Sequence, residues 1–261
     1  MCLNETAFSL KSRPHVSLAG FASDTGSGPV GLFLHGFRSD AHGQKALALA
    51  AHAGVQGYSW VRFDLAAHGL SSGVFEDQSL SGWLADALGV AQRYAPRPLI
   101  LVGSSLGAWL AVLMARQSTL NVAGLLLLAP AFNFLQRRYE ELPQALQDLW
   151  RAQGYLLVPD PYGAGTGQYK IRYEVVEDAR CYDVLREPLT LPCPLVIIHG
   201  AADELVPVSV SEEFLAQVSA PEQELRVIPG GDHRLTEAVP EILAAVDRLW
   251  AKALVDQKVP A

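Results

Sequence analysis

Short apolar runs alternate with longer segments of helical period along most of this chain, and that alternation predicts parallel strands joined by crossover helices. Strands are expected at 31–35 (Gly-Leu-Phe-Leu-His), 60–65, 98–102, 122–128, 194–199 and 224–228, with an edge strand near 16–21. Helices are expected around 44–53, 80–94, 106–116 and 235–254. The runs at 98–102 and 122–128 are apolar at almost every position, as strands covered on both faces must be. Between Ala131 and Leu191 the alternation breaks. Leu142, Ala145, Leu146, Leu149 and Trp150 fall at helical spacing, and 159–167 is turn chemistry. The expected architecture is therefore α/β, a mostly parallel twisted sheet flanked by helices. It forms one domain over 1–261 with a small cap-like insertion at 131–191 after the sixth strand. No repeat and no linker divides it.

Composition narrows the function. The chain has 261 residues, half of them hydrophobic, which is ample for one large core. Its 20 basic and 27 acidic residues give a formal charge of −7 with no basic block, so nucleic acid is not an expected partner. Cys2, Cys181 and Cys193 are too few and too scattered for a disulfide framework, and none pairs at metal-ligand spacing. Metal is not expected. No apolar stretch approaches the ~20 residues of a spanning helix, so no membrane span is expected. The first residues lack the basic and apolar regions of a secretory signal, and a cytoplasmic location is expected.

The chemistry begins at Gly103-Ser104-Ser105-Leu106-Gly107, which matches G-x-S-x-G. In that motif a sharp strand-to-helix turn lifts the serine hydroxyl above the sheet, and the glycines avoid backbone too close for a β-carbon. The pattern alone is weak. Its context is not: Leu99-Ile100-Leu101-Val102 precedes it as a strand, and a helix-forming run follows. A serine hydroxyl is a poor nucleophile at neutral pH, so it needs a base, and the base needs a carboxylate to fix its tautomer.

Asp203 lies just past the strand at 194–199 and His233 just past that at 224–228, both at strand C-terminal ends, where open α/β sheets place their sites. Ser105, Asp203 and His233 are the candidate catalytic residues. Glu204 is the runner-up for the acid. Asp232 is adjacent to His233, an awkward position from which to reach that ring. His15, His42, His52 and His68 precede the nucleophile and break the chain order, and His199 reads as a structural histidine ending a buried strand. The backbone N–H groups of Phe37 and Leu106 are the candidate oxyanion donors.

Other features have rival readings. Arg38 is a candidate contact for a substrate carboxylate, against the commoner reading as a solvated or paired cation. Phe134 and Trp150 are candidate substrate contacts if the apolar face of the insertion (Leu142, Leu146, Leu149, Trp150) roofs the acyl pocket; otherwise that face packs against the body's helices. Trp109 is read as core, and Asp64 as a brace for a loop near the site. Gly163, Gly165 and Gly167 follow no strand and open no helix, so they read as a turn and not a nucleotide loop.

These residues also carry a resemblance. His35-Gly36-Phe37-Arg38-Ser39-Asp40, with Gly43 and Lys45-Ala46, the stretch 101–109, Pro192-Cys193-Pro194 with His199-Gly200 and Asp203, and Gly231-Asp232-His233-Arg234 resemble the abhydrolase-domain esterases of the α/β-hydrolase superfamily. That group includes palmitoyl-protein thioesterases that also cleave acyl glucuronides. The resemblance runs from about Gly31 past His233 and takes in 169–185 of the insertion. It implies an α/β-hydrolase fold, a triad at Ser105, Asp203 and His233, and hydrolysis of an ester or thioester without metal or organic cofactor. The implied partner is a small-molecule ester or thioester, or an acylated protein. Acyl transfer to another acceptor, peptide cleavage, and an inactive hydrolase fold used for binding are the alternatives.

Overall fold

In the computed structural model, which describes residues 5–159 and 167–256, the seven expected strands and one further strand at the N-terminal edge assemble into one eight-stranded sheet. In chain order the first elements are β1 (Thr6–Arg13), β2 (Val16–Ser23), β3 (Val30–Leu34), α1 (Gln44–Gln56), β4 (Ser59–Phe63), α2 (Leu80–Gln92), β5 (Leu99–Ser104), α3 (Leu106–Ala115) and β6 (Val122–Leu128). Then come α4 (Phe134–Glu140), α5 (Gln144–Gln153), β7 (Tyr155–Pro159), β8 (Gln168–Arg172), α6 (Tyr173–Arg180) and β9 (Leu189–Thr190). The chain closes with β10 (Leu195–Gly200), α7 (Ser209–Gln217), β11 (Val218–Ser219), β12 (Gln223–Ile228) and α8 (Val239–Asp256).

The sheet order is β1-β2-β4-β3-β5-β6-β10-β12. From β4 to β12 every pairing is parallel; β2 runs antiparallel to β4, and β1 antiparallel to β2. The near-continuous apolar runs follow from burial on both faces. Leu99 and Leu101 of β5, Leu125 and Leu127 of β6, and Leu195 and Ile197 of β10 join one core. Ile100 and Val102, Leu126 and Leu128, and Val196 and Ile198 join the core on the opposite face. With a period of two, an all-aliphatic strand supplies both.

The helices obey local rules. Ser79 caps α2, its hydroxyl accepting from the Gly82 N–H at 3.1 Å. α1 stops where Gly57 takes φ 71°, a left-handed turn that glycine adopts without strain. All ten residues of α3 are buried, so this helix lies inside the molecule.

Between β6 and β10 the structure departs from expectation. The turn chemistry at 159–167 falls largely on residues outside the described ones, Gly163 and Gly165 included. Beside it β7 and β8 pair as an antiparallel hairpin, and α6 follows. The expected burial of the Leu142, Leu146, Leu149 and Trp150 face is corrected. Trp150 is fully buried, whereas Leu146 and Leu149 are 39% and 47% exposed. α5 lies on the outside and is anchored by one indole, packed between Tyr139 and Tyr173 with its Nε1–H donated to the Ile171 carbonyl at 3.1 Å. The hairpin is tied to the 75–77 turn of the body by Lys170–Glu76 and Arg172–Asp77 ion pairs.

Candidate active site

Ser105 stands at the junction of β5 and α3 with φ 55° and ψ −115°, a backbone conformation that costs a non-glycine residue on the order of 1–3 kcal/mol. Its surroundings enforce this. A β-carbon at Gly103 would lie 2.3 Å from the Gly107 carbonyl oxygen, and one at Gly107 would lie 2.0 Å from that of Leu34. Only glycine lets α3 approach the ends of β3 and β5 so closely. The Ser105 N–H is held by the Leu128 carbonyl at 2.9 Å, while α3 begins at Leu106. The Ala108 N–H turns back to the Ser105 carbonyl at 3.0 Å, and the first N–H groups of that helix carry the positive end of its dipole.

His233 meets Ser105 from the loop after β12, with Nε2 3.1 Å from Ser105 Oγ. Its Nδ1 lies 2.7 Å from Asp203 Oδ2. An ionised carboxylate only accepts, so Nδ1 carries the hydrogen and Nε2 is free to take the Ser105 proton. The Asp203 side chain is fully buried. Burial pushes its carboxyl up, but hydrogen bonds from His199, His233 and the Val206 N–H outweigh it and hold the carboxyl well below the usual carboxylate range. Oδ1 accepts from both Leu205 and Val206 N–H at 2.9 Å.

The rivals occupy other positions. Glu204 is exposed. Asp232 Oδ1 accepts from the N–H groups of Arg234 and Leu235 at 3.0 Å, shaping the turn that presents His233. The same loop is held from α1 by Lys45, whose Nζ donates to the Arg234 carbonyl at 2.5 Å. Burial lowers the Lys45 ammonium to about 8.

The loop after β3 lies against Ser105: a β-carbon at Gly36 would come 3.1 Å from Ser105 Cβ. Two buried imidazoles shape it. His35 Nδ1–H donates to the Gly36 carbonyl at 2.8 Å, and its Nε2 accepts from the Leu65 N–H at 3.0 Å. His68 Nδ1–H donates to the Ala66 carbonyl at 3.0 Å, and its Nε2 accepts from the Arg38 N–H at 3.3 Å. Burial lowers His35 to about 4 and His68 to about 3. Asp64 completes the brace, accepting from Ala41 N–H at 2.7 Å and Leu70 N–H at 2.8 Å.

Residues 32–246 match the model of the alpha/beta hydrolase family, which takes in every site residue above. The chain belongs to the α/β hydrolase family. Among relatives of this hydrolase, human mitochondrial palmitoyl-protein thioesterase ABHD10 is 30% identical over 236 residues, covering 90% of this chain and 77% of the relative. The mouse ABHD10 structure superposes with TM-score 0.83 at 26% identity over 97% of this chain and the whole of the other. A structure from Agrobacterium vitis S4, described as a hydrolase, does so with TM-score 0.86 at 28% identity over 96% of this chain and the whole of the other.

In this hydrolase the remaining sequence candidates separate. The half-buried Phe37 ring packs against Phe75, Trp83, Phe134 and Tyr169 at centroid distances of 5.3–6.1 Å. Phe134 is thus beside the loop at Ser105. Trp150 instead fills the interior of the 131–191 segment. Arg38 takes φ 58° and lays its guanidinium over the Phe75 and Tyr169 rings, at 5.2 and 4.8 Å. Trp109 is fully buried and donates to the Tyr182 carbonyl at 2.9 Å. Sequence reasoning missed the bracing by His68, whose Nε2 reaches the Arg38 N–H 30 residues away, and the Lys45 tether to the Arg234 carbonyl 189 residues away. Among the described residues, no three His, Cys, Asp or Glu side chains gather closely enough to hold a metal ion.

Proposed function

We propose that this α/β hydrolase is a serine hydrolase that cleaves carboxylic ester or thioester bonds through an acyl-enzyme. One observation carries the proposal: Ser105 Oγ, His233 and Asp203 are linked by contacts of 3.1 and 2.7 Å, in the chain order Ser, Asp, His of this fold. In this mechanism His233 Nε2 takes the Ser105 proton as Oγ attacks the acyl carbon. Asp203 steadies the imidazolium through Nδ1. The oxyanion is received by the N–H groups of Phe37 and Leu106, one from the loop braced by His35 and His68, the other from the start of α3. His233 then protonates the departing alcohol or thiol. A water, deprotonated by the same ring, releases the acid.

The names of the ABHD10 relatives support a thioester among the substrates, either small or an acylated protein. The cycle needs no cofactor. We take the elements between Ala131 and Leu191 as a small cap, because the hairpin and α4 bring Tyr169 and Phe134 against Phe37. The free thiols of Cys181 and Cys193 fit a reducing compartment such as the cytoplasm, and the ABHD10 relatives are named mitochondrial.

The test is labelling by a fluorophosphonate together with a panel of acyl chain lengths on oxygen and sulfur leaving groups. Wild type should label and turn over; Ser105→Ala should do neither while remaining folded. Turnover that survives in Ser105→Ala would end the proposal. A wild-type protein that neither labels nor hydrolyses would return the chain to the binding-module reading.

A further inference from the structure

His199 is fully buried at the end of β10, four residues before Asp203. Its Nε2 lies 2.9 Å from the Val206 carbonyl oxygen and 3.2 Å from Asp203 Oδ2. Both partners only accept, so Nε2 carries a hydrogen that is shared between them. Its Nδ1 lies 2.7 Å from Ser211 Oγ, a buried hydroxyl on α7. With both nitrogens engaged, His199 has no proton to exchange with a substrate.

A histidine that served packing alone would be satisfied by Ser211 and Val206. The contact with Asp203 goes further, because Oδ2 is the same atom that accepts from His233 Nδ1. Counting the two N–H donors on Oδ1, four hydrogens converge on one carboxylate. We infer that His199 is a positioning residue for the candidate triad, a second imidazole that fixes Asp203 Oδ2 and draws off part of its charge. The inference rests on the proposed roles of Ser105, His233 and Asp203.

The consequence has a sign. Without the His199 donor, Oδ2 presents more of its charge to His233, which favours the imidazolium and moves the rise of activity to higher pH. A carboxylate held by one fewer bond also orients His233 less sharply, so kcat falls while binding of the substrate is unaffected. The charged groups of the His233 loop and of its tether are Asp232, Arg234 and Lys45 from α1. They are the same in every variant compared.

The experiment compares pH–rate profiles, kcat and KM for wild type, His199→Gln and His199→Leu. The glutamine amide can place an N–H where Nε2 stood and should keep the wild-type profile. The leucine variant should shift the acid limb upward by about half a pH unit and lower kcat on the order of tenfold at unchanged KM, the scale of one lost charge-assisted hydrogen bond. Histidine-ring 15N spectra of the wild type supply a second measurement that needs no variant. They should show His199 protonated on Nε2, with that resonance responding as His233 titrates. A folded leucine variant with the wild-type profile, or a His199 ring protonated on Nδ1 alone, would overturn the inference. If instead His233 does not titrate with activity, or Ser105 does not label, the catalytic reading itself fails.

Discussion

A β-carbon on Gly107 would stand 2.0 Å from the carbonyl oxygen of Leu34. α3 therefore crosses the end of β3 at backbone contact, and the same crossing sets the Ser105 hydroxyl beside the Gly36–Phe37 loop. Because the clashing atom is backbone, it cannot swing aside. Gly107→Ala should destabilise the fold by about 3 kcal/mol or more. Gly54, inside α1 with nothing within 4 Å of an added methyl, is the control: Gly54→Ala should stabilise by about 0.5–1 kcal/mol. Urea unfolding of the two variants measures both, and a Gly107→Ala protein as stable as wild type would mean that the crossing is looser than its geometry.

Asp203 and Glu204 are adjacent in sequence but differently placed, one buried against two imidazoles and the other exposed. Asp203→Asn should lower kcat by several powers of ten, because an amide can force His233 into the wrong tautomer. Glu204→Gln should change kcat less than about threefold, having no route to the ring. Steady-state kinetics on one ester decides it. The reverse ranking would place the acid one residue later.

His35 and His68 give stability a pH dependence separate from catalysis. Each is held neutral in the fold, at about 4 and about 3, against 6.5 in the unfolded chain. The unfolded state therefore binds more protons in that window. Their contribution is complete above pH 6.5 and is lost as pH falls towards 4 and 3, by up to about 1.4 kcal/mol per pH unit for each ring. Asp203, with its lowered carboxyl, acts in a lower window, since its contribution persists until pH falls below 3.8. Urea unfolding between pH 7 and 5 should show the decline, and His68→Gln should reduce its slope. A flat profile over that range would contradict neutral buried rings bracing the loop.

The sheet was legible because parallel strands buried on both faces leave runs such as Leu99-Ile100-Leu101-Val102, and few other elements produce them. The candidate site could be read because the elbow has steric requirements that only glycine meets and because Asp203 and His233 follow strand ends in the chain order of this fold. β1 escaped notice because it lies on the sheet edge, carries Ser9, Lys11, Ser12 and Arg13, and has no residue fully buried. The β7–β8 hairpin left no periodic signal, with two five-residue strands each burying a single side chain. The apolar spacing in α5 suggested a buried face, but the helix needed only Trp150 to dock. Bracing by His68 depends on its tautomer and on the Arg38 N–H in another loop, which no local pattern encodes.

Phe134 and Trp150, paired in the sequence as candidate substrate contacts, have different surroundings and should respond differently to truncation. Phe134 opens α4, is half-buried, and lies 5.3 Å from the Phe37 ring and 6.3 Å from Trp109. If the acyl chain runs along this wall, Phe134→Ala widens it and should shift preference towards longer or bulkier acyl groups. Each additional methylene buried is worth up to ~0.8 kcal/mol, or about fourfold in kcat/KM. Trp150 is fully buried and bonded to the Ile171 carbonyl. Its loss leaves a cavity and an unpaired acceptor, so Trp150→Ala should cost about 3–5 kcal/mol and lower Tm while the chain-length profile keeps its shape. Profiles over short to long acyl chains, read beside thermal melts, separate the two. Should Trp150→Ala reshape the profile and Phe134→Ala leave it unchanged, the acyl group must enter between α5 and β8, not beside Phe37.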